Sequence, residues 1–121
     1  MTDRMMHIGE LAERTELSLR TIRHYDEVGL LTPSGRSDGG FRLYTEGDLS
    51  RLMLIRRMKP LGFSLDEMGE LLRIIDTIAE RNEPELRAQL DGFIARASEQ
   101  RDKLQRQLDM ADEFVELLRR R

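Results

Sequence analysis

The chain has 121 residues and a net charge of −3, with 36% charged residues, 5% aromatic residues and no cysteine. This composition favours one compact helical domain with an appendage, and it excludes disulfides, thiolate metal sites and thiol redox switches. No run of 18 apolar residues could span a membrane and no apolar signal core begins the chain, so we expect a cytoplasmic protein.

The first predicted elements are a short extended lead-in and a helix over residues 9–14. Apolar side chains at Ile8, Leu11 and Ala12 recur at helical spacing. Residues 15–17 then form a turn, and we expect Leu17 to point inward. The sequence therefore predicts a helix followed by a tight turn.

A second helix follows the turn. Ser18 is the predicted N-cap, because its hydroxyl can accept a hydrogen bond from an N–H of the first turn. The helix runs to about Val28, and Gly29 can end it in the left-handed conformation. Ile22, Tyr25 and Val28 form the predicted inner face of this helix.

A Gly-rich hairpin is predicted between residues 30 and 44, with strands at residues 30–31 and 41–44. Alternation along the second strand places Arg42 and Tyr44 on one face and Phe41 and Leu43 on the other. We expect Phe41 to fill the core. A helix, a turn, a second helix and a hairpin are the plan of a winged helix-turn-helix.

Two further helices begin at capping boxes, TEGD at residues 45–48 and SLDE at residues 64–67. Pro60 and Gly62 separate them, and the fourth helix runs to about residue 75 or 79. The predicted inward side chains of the two helices are Leu49, Leu52, Met53, Ile55, Met58, Leu65, Met68, Leu71, Leu72 and Ile75.

A long polar helix starts near Pro84 and measures on the order of 50 Å. Apolar residues recur along it every seven positions, with a second set four positions further on and Arg101 as the exception. Such a narrow seam favours pairing with another helix, most simply in a second copy of the chain. The seam consists of Leu90, Ile94, Ala97, Leu104, Leu108, Ala111, Val115 and Leu118.

Residues 7–72 resemble the DNA-binding region of the MerR family of bacterial transcription regulators. The matching motifs are IGELA at 8–12, S-x-x-TIR-x-Y at 18–25, GLL-x-P at 29–33, GGFRLY at 39–44, D-L-x-RL at 48–52 and LGFSLDE at 61–67. The long terminal helix is similar to the family's antiparallel dimerisation helix. Two positions depart from the family pattern, since Glu16 replaces a usual Gly and His24 a usual aromatic residue. The absence of cysteine excludes the family's cysteine-dependent metal and redox sensors.

The resemblance implies a mainly α fold with a small β-hairpin wing and a C-terminal coiled-coil dimerisation helix. We place the winged helix-turn-helix DNA-binding domain at residues 1–78. The dimerisation helix occupies residues 79–121, with little or no separate effector domain. Although the chain is acidic overall, residues 18–59 carry 8 basic and 5 acidic side chains, which suits a DNA-binding head.

The residues predicted to contact DNA lie in the second helix and its cap, in the wing and on the outer face of the third helix. Several of them have a simpler alternative role. Arg20 and Arg23 could simply belong to a solvated helix face, and Ser18 could serve only as a helix cap. Tyr25 could pack inside the head, and Arg42 could form a cross-strand ion pair. The predicted set is Ser18, Arg20, Thr21, Arg23, His24, Tyr25, Arg36, Arg42, Tyr44 and Lys59.

The resemblance implies a homodimeric regulator that binds a palindromic promoter site, distorts the promoter spacer and acts beside RNA polymerase at the nucleoid. Two alternatives remain, an architectural or recombination-accessory DNA-bending protein and a coiled-coil protein that has lost DNA binding. We expect no enzyme, because no nucleophile–base pair or phosphate-binding loop is present. We also expect no cofactor or metal, since His7 and His24 lie in no ligand-spaced cluster. The sequence does not reveal a small-molecule effector.

Overall fold

The computed structural model describes residues 4–121, which form five α-helices, three short strands and one 3₁₀ turn. This architecture confirms the predicted mainly helical winged helix-turn-helix with a long terminal helix. In chain order the elements are β1 (Met6–His7), α1 (Ile8–Thr15), α2 (Leu19–Glu27), β2 (Gly35–Arg36), β3 (Arg42–Tyr44), α3 (Glu46–Met58), the 3₁₀ turn (Lys59–Leu61), α4 (Leu65–Glu80) and α5 (Pro84–Arg119).

The chain divides into two compact units, one ending at Gly69 and the other spanning Glu70–Arg121. The helix α4 contributes residues to both. The domain boundary predicted between residues 78 and 79 stays a prediction. Within residues 4–121, no helix combines the length and the hydropathy of a membrane span.

The core of the first unit lies where α1 packs against α2, α3 and the sheet. Burial of each large apolar side chain stabilises the fold by about 1.5–3 kcal/mol, so this cluster dominates the stability of the head. Its central members are Met6, Leu11, Ile22, Tyr44, Leu52 and Ile55.

The turn between α1 and α2 contains Glu16 in the left-handed conformation, with φ of 58°. That conformation costs a residue other than glycine about 1–2 kcal/mol. The guanidinium of Arg56 donates to the Thr15 carbonyl at 2.7 Å and lies 3.9 Å from the Glu16 carboxylate. The turn therefore keeps a backbone conformation that favours glycine although glutamate occupies it, and Arg56 helps to hold it in place.

The sheet is antiparallel, with β3 between β1 and β2. Residue pairs Met6–Tyr44 and Arg36–Arg42 face each other across the strands. At the tip of the β2–β3 hairpin, Gly40 has φ of 81° and its N–H donates to the Ser37 carbonyl at 2.8 Å. The lead-in segment thus becomes a third strand that fastens the wing to the head.

The wing differs from its prediction at two places. Leu30 and Leu31, which follow α2, are buried but form no strand, because their N–H groups donate to the carbonyl of Tyr25 within α2. Phe41 is 68% exposed and does not fill the core. It precedes the first paired residue of β3, so strand alternation does not determine its direction.

Predicted helix ends are confirmed at most positions. Ser18 caps α2, and its side-chain oxygen accepts the Thr21 N–H at 3.0 Å. Both capping boxes are present, the first joining Thr45 and Asp48 and the second Ser64 and Glu67. Gly29 ends α2 with φ of 76°.

Two predicted inward side chains lie outside instead. Val28 is 49% exposed, because α2 ends at Glu27 and the helical repeat stops there. Leu65 is also exposed, as the first residue of α4.

The helix α5 extends for 36 residues. None of its side chains is buried in the single chain. Five exposed apolar residues belong to the predicted seam, and three further large ones lie outside it near the C-terminal end. The exposed set is Ile94, Leu104, Leu108, Met110, Phe114, Val115, Leu117 and Leu118.

Candidate nucleic-acid interface

The helix α2 has one face inside the head and one face in solvent. Ile22 and Tyr25 are buried, whereas Arg20, Arg23 and His24 are exposed. This division follows from helical geometry, since residues three apart share a face. The exposed face presents charged and planar polar groups, the types that read base edges and bind phosphates.

The cations of this face are available for an external anion. Within residues 4–121, neither Arg20 nor Arg23 makes a hydrogen bond or an ion pair. By contrast, Arg14 is bound to Glu46 at 2.7 Å, which ties α1 to the start of α3. That ion pair holds the pKa of the Glu46 carboxyl below its ordinary value. Arg20 and Arg23 are therefore both unpaired on α2, the predicted recognition helix that would contact DNA.

Five of the predicted DNA-contacting residues line one cavity of about 470 Å³. Four belong to α2 and the fifth, Lys59, follows α3. They are Arg20, Thr21, His24, Tyr25 and Lys59. Phe63, Ser64 and Met68, which the sequence analysis had not assigned to a site, complete part of the wall. These three residues follow Gly62, where the chain bends with φ of 83°. The glycine at this position is the sequence signal that could have identified them.

The wing arginines are held to α2 by one carboxylate. Arg42 Nε lies 2.7 Å from Asp26 Oδ2, and Arg36 Nη2 lies 3.8 Å from the same oxygen. The hydrogen bond to Asp26 raises the pKa of Arg42 above its ordinary value. Arg36 also donates to the Gly40 carbonyl at 3.1 Å and is half exposed. Asp26 thus links the wing to the recognition helix, and Arg42 makes an ion pair with a helix carboxylate, not across the strands as its alternative role had it.

We expect Asp26→Asn to lower the free energy of unfolding by about 1 kcal/mol, because it removes a charge-assisted hydrogen bond that is mostly shielded from solvent. Urea denaturation of the purified protein measures this change. The matched control is Glu27→Gln, which removes a carboxylate from the exposed side of the same helix. Equal destabilisation by both substitutions would show that the Asp26 contact has no special role in the stability of the wing.

Tyr44 is not placed where the sequence analysis predicted it. Its side chain has 0% exposure, so the predicted DNA contact is wrong for this structure. Within residues 4–121 its hydroxyl has no hydrogen-bond partner, and burial raises its pKa. The neighbouring sheet and α1 enclose the ring, so Tyr44 is a core residue.

For Tyr44→Phe we expect the free energy of unfolding to rise by about 1 kcal/mol, since an unpaired buried hydroxyl costs at least that much. The affinity for DNA is expected to stay unchanged. Thermal denaturation and a binding titration test the two parts separately. A drop in DNA affinity without a stability gain would restore the direct contact.

Within residues 4–121, no group of three or more His, Asp or Glu side chains is arranged to hold a metal ion. His24 is exposed on α2, and its ring centroid lies 6.4 Å from that of Tyr25 with the two rings tilted by 42°. It therefore belongs to the candidate nucleic-acid interface.

Two family models match the chain. The model described as "MerR HTH family regulatory protein" covers residues 6–74, and the model "MerR, DNA binding" covers residues 49–113. The first alone includes more than half of the chain.

Curated relatives match over part of the chain. The uncharacterized HTH-type transcriptional regulator PA4778 of Pseudomonas aeruginosa is 51% identical over 69 residues, which are 57% of this chain and 52% of that protein. The HTH-type transcriptional regulator ZntR of Escherichia coli is 50% identical over 70 residues, 58% of this chain and 50% of ZntR. The chain therefore spans about half the length of these relatives.

Solved structures match over nearly the whole chain. The N-terminus of MtaN, the Bacillus subtilis multidrug transporter activator, has a TM-score of 0.59 and 32% identity, covering 95% of each chain. HiNmlR, described as a MerR family regulator lacking the sensor domain and bound to promoter DNA, has a TM-score of 0.72. It is 27% identical and covers 97% of this chain and 92% of its own. This chain belongs to the MerR family of helix-turn-helix regulatory proteins.

Proposed function

We propose that the protein is a transcriptional regulator that binds a palindromic promoter site as a homodimer. The observation that carries this proposal is the exposed face of α2, where Arg20 and Arg23 have no internal counter-charge. A helix of this kind can enter the major groove, where arginine pairs with guanine through two hydrogen bonds. The structural similarity to HiNmlR bound to promoter DNA supports this role for the head.

The remaining predicted contacts would position the head on the DNA backbone. Ser18 and Thr21 lie at the start of α2, where side-chain hydroxyls and N–H groups suit phosphate oxygens. Lys59 and Arg36 provide further exposed cations beside α2 and on the wing. Arg42 would act through its ion pair with Asp26, by holding the wing in place.

The second unit would supply the dimer contact. The seam of α5 leaves large apolar side chains exposed in the single chain, and a second copy is the partner that the heptad spacing favours. A two-fold symmetric dimer then reads an inverted repeat. We further propose that it distorts the promoter spacer, acts on the same promoter as RNA polymerase, and works at the nucleoid in the cytoplasm.

The test is selection of bound duplexes from random DNA by the full chain, followed by footprinting of the winning sequence. The expected result is an inverted repeat, protected as one block, with distorted base steps at its centre. Asymmetric tandem sites would instead indicate the architectural DNA-bending role. A folded dimer that enriches no sequence would overturn the proposal.

A further inference from the structure

The cavity beside α2 combines features that DNA binding alone does not require. Its volume of about 470 Å³ lies within the usual range of small-molecule sites, about 300–1,000 Å³. One wall is the exposed face of α2, and the opposite wall runs from Lys59 to the first turns of α4. All lining residues precede Gly69, so the cavity belongs to the first unit alone.

The polar side of the cavity is cationic. Arg20 and Lys59 both line it, and neither forms an ion pair within residues 4–121. Thr21 and Ser64, one from each wall, add hydroxyl-bearing side chains to the lining, and none of the described lining residues is acidic. Two cations and two hydroxyls without a carboxylate suit an anionic group, which would accept hydrogen bonds from them.

The cavity also has apolar lining residues. Phe63 and Met68 are buried, and the exposed side chain of Leu65 lies at the same wall. Tyr25 adds an aromatic ring that is only 4% exposed. A phosphate or another small inorganic anion would leave the exposed part of this lining, chiefly the Leu65 side chain, in contact with water, whereas an apolar body would cover it.

We propose that the cavity binds an amphipathic organic anion, a carboxylate, sulfonate or phosphate ester carried on an aromatic or aliphatic body. The anionic group lies between Arg20 and Lys59, and the body packs on Phe63, Leu65 and Met68. No part of α5 or of a partner chain is required. The site is thus distinct from any sensor that a longer regulator would carry elsewhere.

Such a ligand would compete with DNA, a consequence that rests on the proposed function. Arg20, Thr21 and His24 line the cavity and also belong to the predicted DNA contacts. A bound anion neutralises the charge that would attract phosphate, and its body stands in front of the recognition helix. The ligand therefore releases the regulator from its site through direct exclusion.

Isothermal titration of the full chain with 1-naphthoate tests the site without DNA. We expect 1-naphthoate to bind at least about tenfold more tightly than either 1-naphthylmethanol or inorganic phosphate. Only naphthoate carries both an anionic group for the cations and an apolar body for the apolar lining residues. Arg20→Gln and Lys59→Gln should each weaken naphthoate binding about tenfold. The control Arg106→Gln removes one exposed charge from α5 and should leave naphthoate binding unchanged.

Equal binding of naphthoate and naphthylmethanol, equal binding of naphthoate and phosphate, or equal losses in all three variants would overturn the ligand site. Displacement of a selected DNA duplex by naphthoate tests the regulatory half, and unaltered DNA binding at saturating naphthoate would contradict it. The two proposals can fail separately. A chain that binds naphthoate but selects no duplex keeps the cavity and loses the proposed function, and the reverse result keeps only the regulator.

Discussion

The Leu104→Glu substitution is expected to convert the proposed homodimer into monomers and to remove tight binding to a two-fold symmetric DNA site. Leu104 lies midway along the seam of α5 and is 43% exposed in the single chain. A dimer would bury two uncompensated carboxylates there, each at a cost of several kcal/mol. Since 1.4 kcal/mol is a factor of ten, the dimer Kd should rise by at least about 1,000-fold.

Light scattering over a range of concentrations measures the change in mass, and a duplex with both half-sites measures the loss of affinity. Leu108→Glu should behave in the same way. The control is Arg106→Glu, which changes the charge more but lies on the face of α5 opposite the seam. A Leu104→Glu protein that remains dimeric would mean that the seam packs within its own chain.

The second large effect is expected for Arg23→Ala, which should abolish sequence-specific DNA binding and leave the fold and the dimer intact. Arg23 is exposed and makes no hydrogen bond or ion pair within residues 4–121, so its truncation costs the head little stability. Each bidentate contact with guanine contributes about 1–3 kcal/mol of discrimination. Two such contacts in a dimer predict a loss of about 30-fold or more.

Titration of the selected duplex and of a scrambled duplex, at one salt concentration, measures this loss. Circular dichroism and light scattering check the fold and the mass. The control is Arg106→Ala, which removes the same charge from the polar face of α5. Retention of the same footprint at similar affinity in the Arg23→Ala protein would remove Arg23 from the interface.

Local signals in the sequence were sufficient for the helices. The Ser18 cap, the TEGD and SLDE capping boxes and the Gly29 stop depend on contacts within a few residues, and each lies where the sequence predicts it. The heptad spacing likewise depends only on helical geometry. The similarity of the chain to the MerR family then follows from several such signals that occur in the correct order.

The wing was less predictable because its details depend on tertiary contacts. Strand alternation assigns a face only to residues inside a paired register, and Phe41 lies before that register begins. Leu30 and Leu31 resemble a strand in composition, but their N–H groups donate hydrogen bonds to the Tyr25 carbonyl. Tyr44 shares its alternation with Arg42, yet β1 and α1 cover it on the inner side.

In the candidate site, too, features that depend on local sequence could be predicted, whereas features that depend on tertiary contacts could not. Helical periodicity separates Arg20 and Arg23 from Ile22, so the exposed face of α2 could be predicted from the sequence alone. The cavity could not, because it forms between segments almost forty residues apart in the chain, at Arg20 and Lys59. Nor could the role of Asp26, which becomes evident only when both wing arginines reach the same oxygen.

The unburied apolar face of α5 has a consequence for gene dosage. If the active form needs two chains while most chains are single, its concentration rises with the square of the total amount of protein. Doubling expression would then increase the active form about fourfold. A promoter controlled by this protein would respond more steeply than in proportion to the regulator's own abundance, so that small changes in its synthesis or degradation become a signal in themselves.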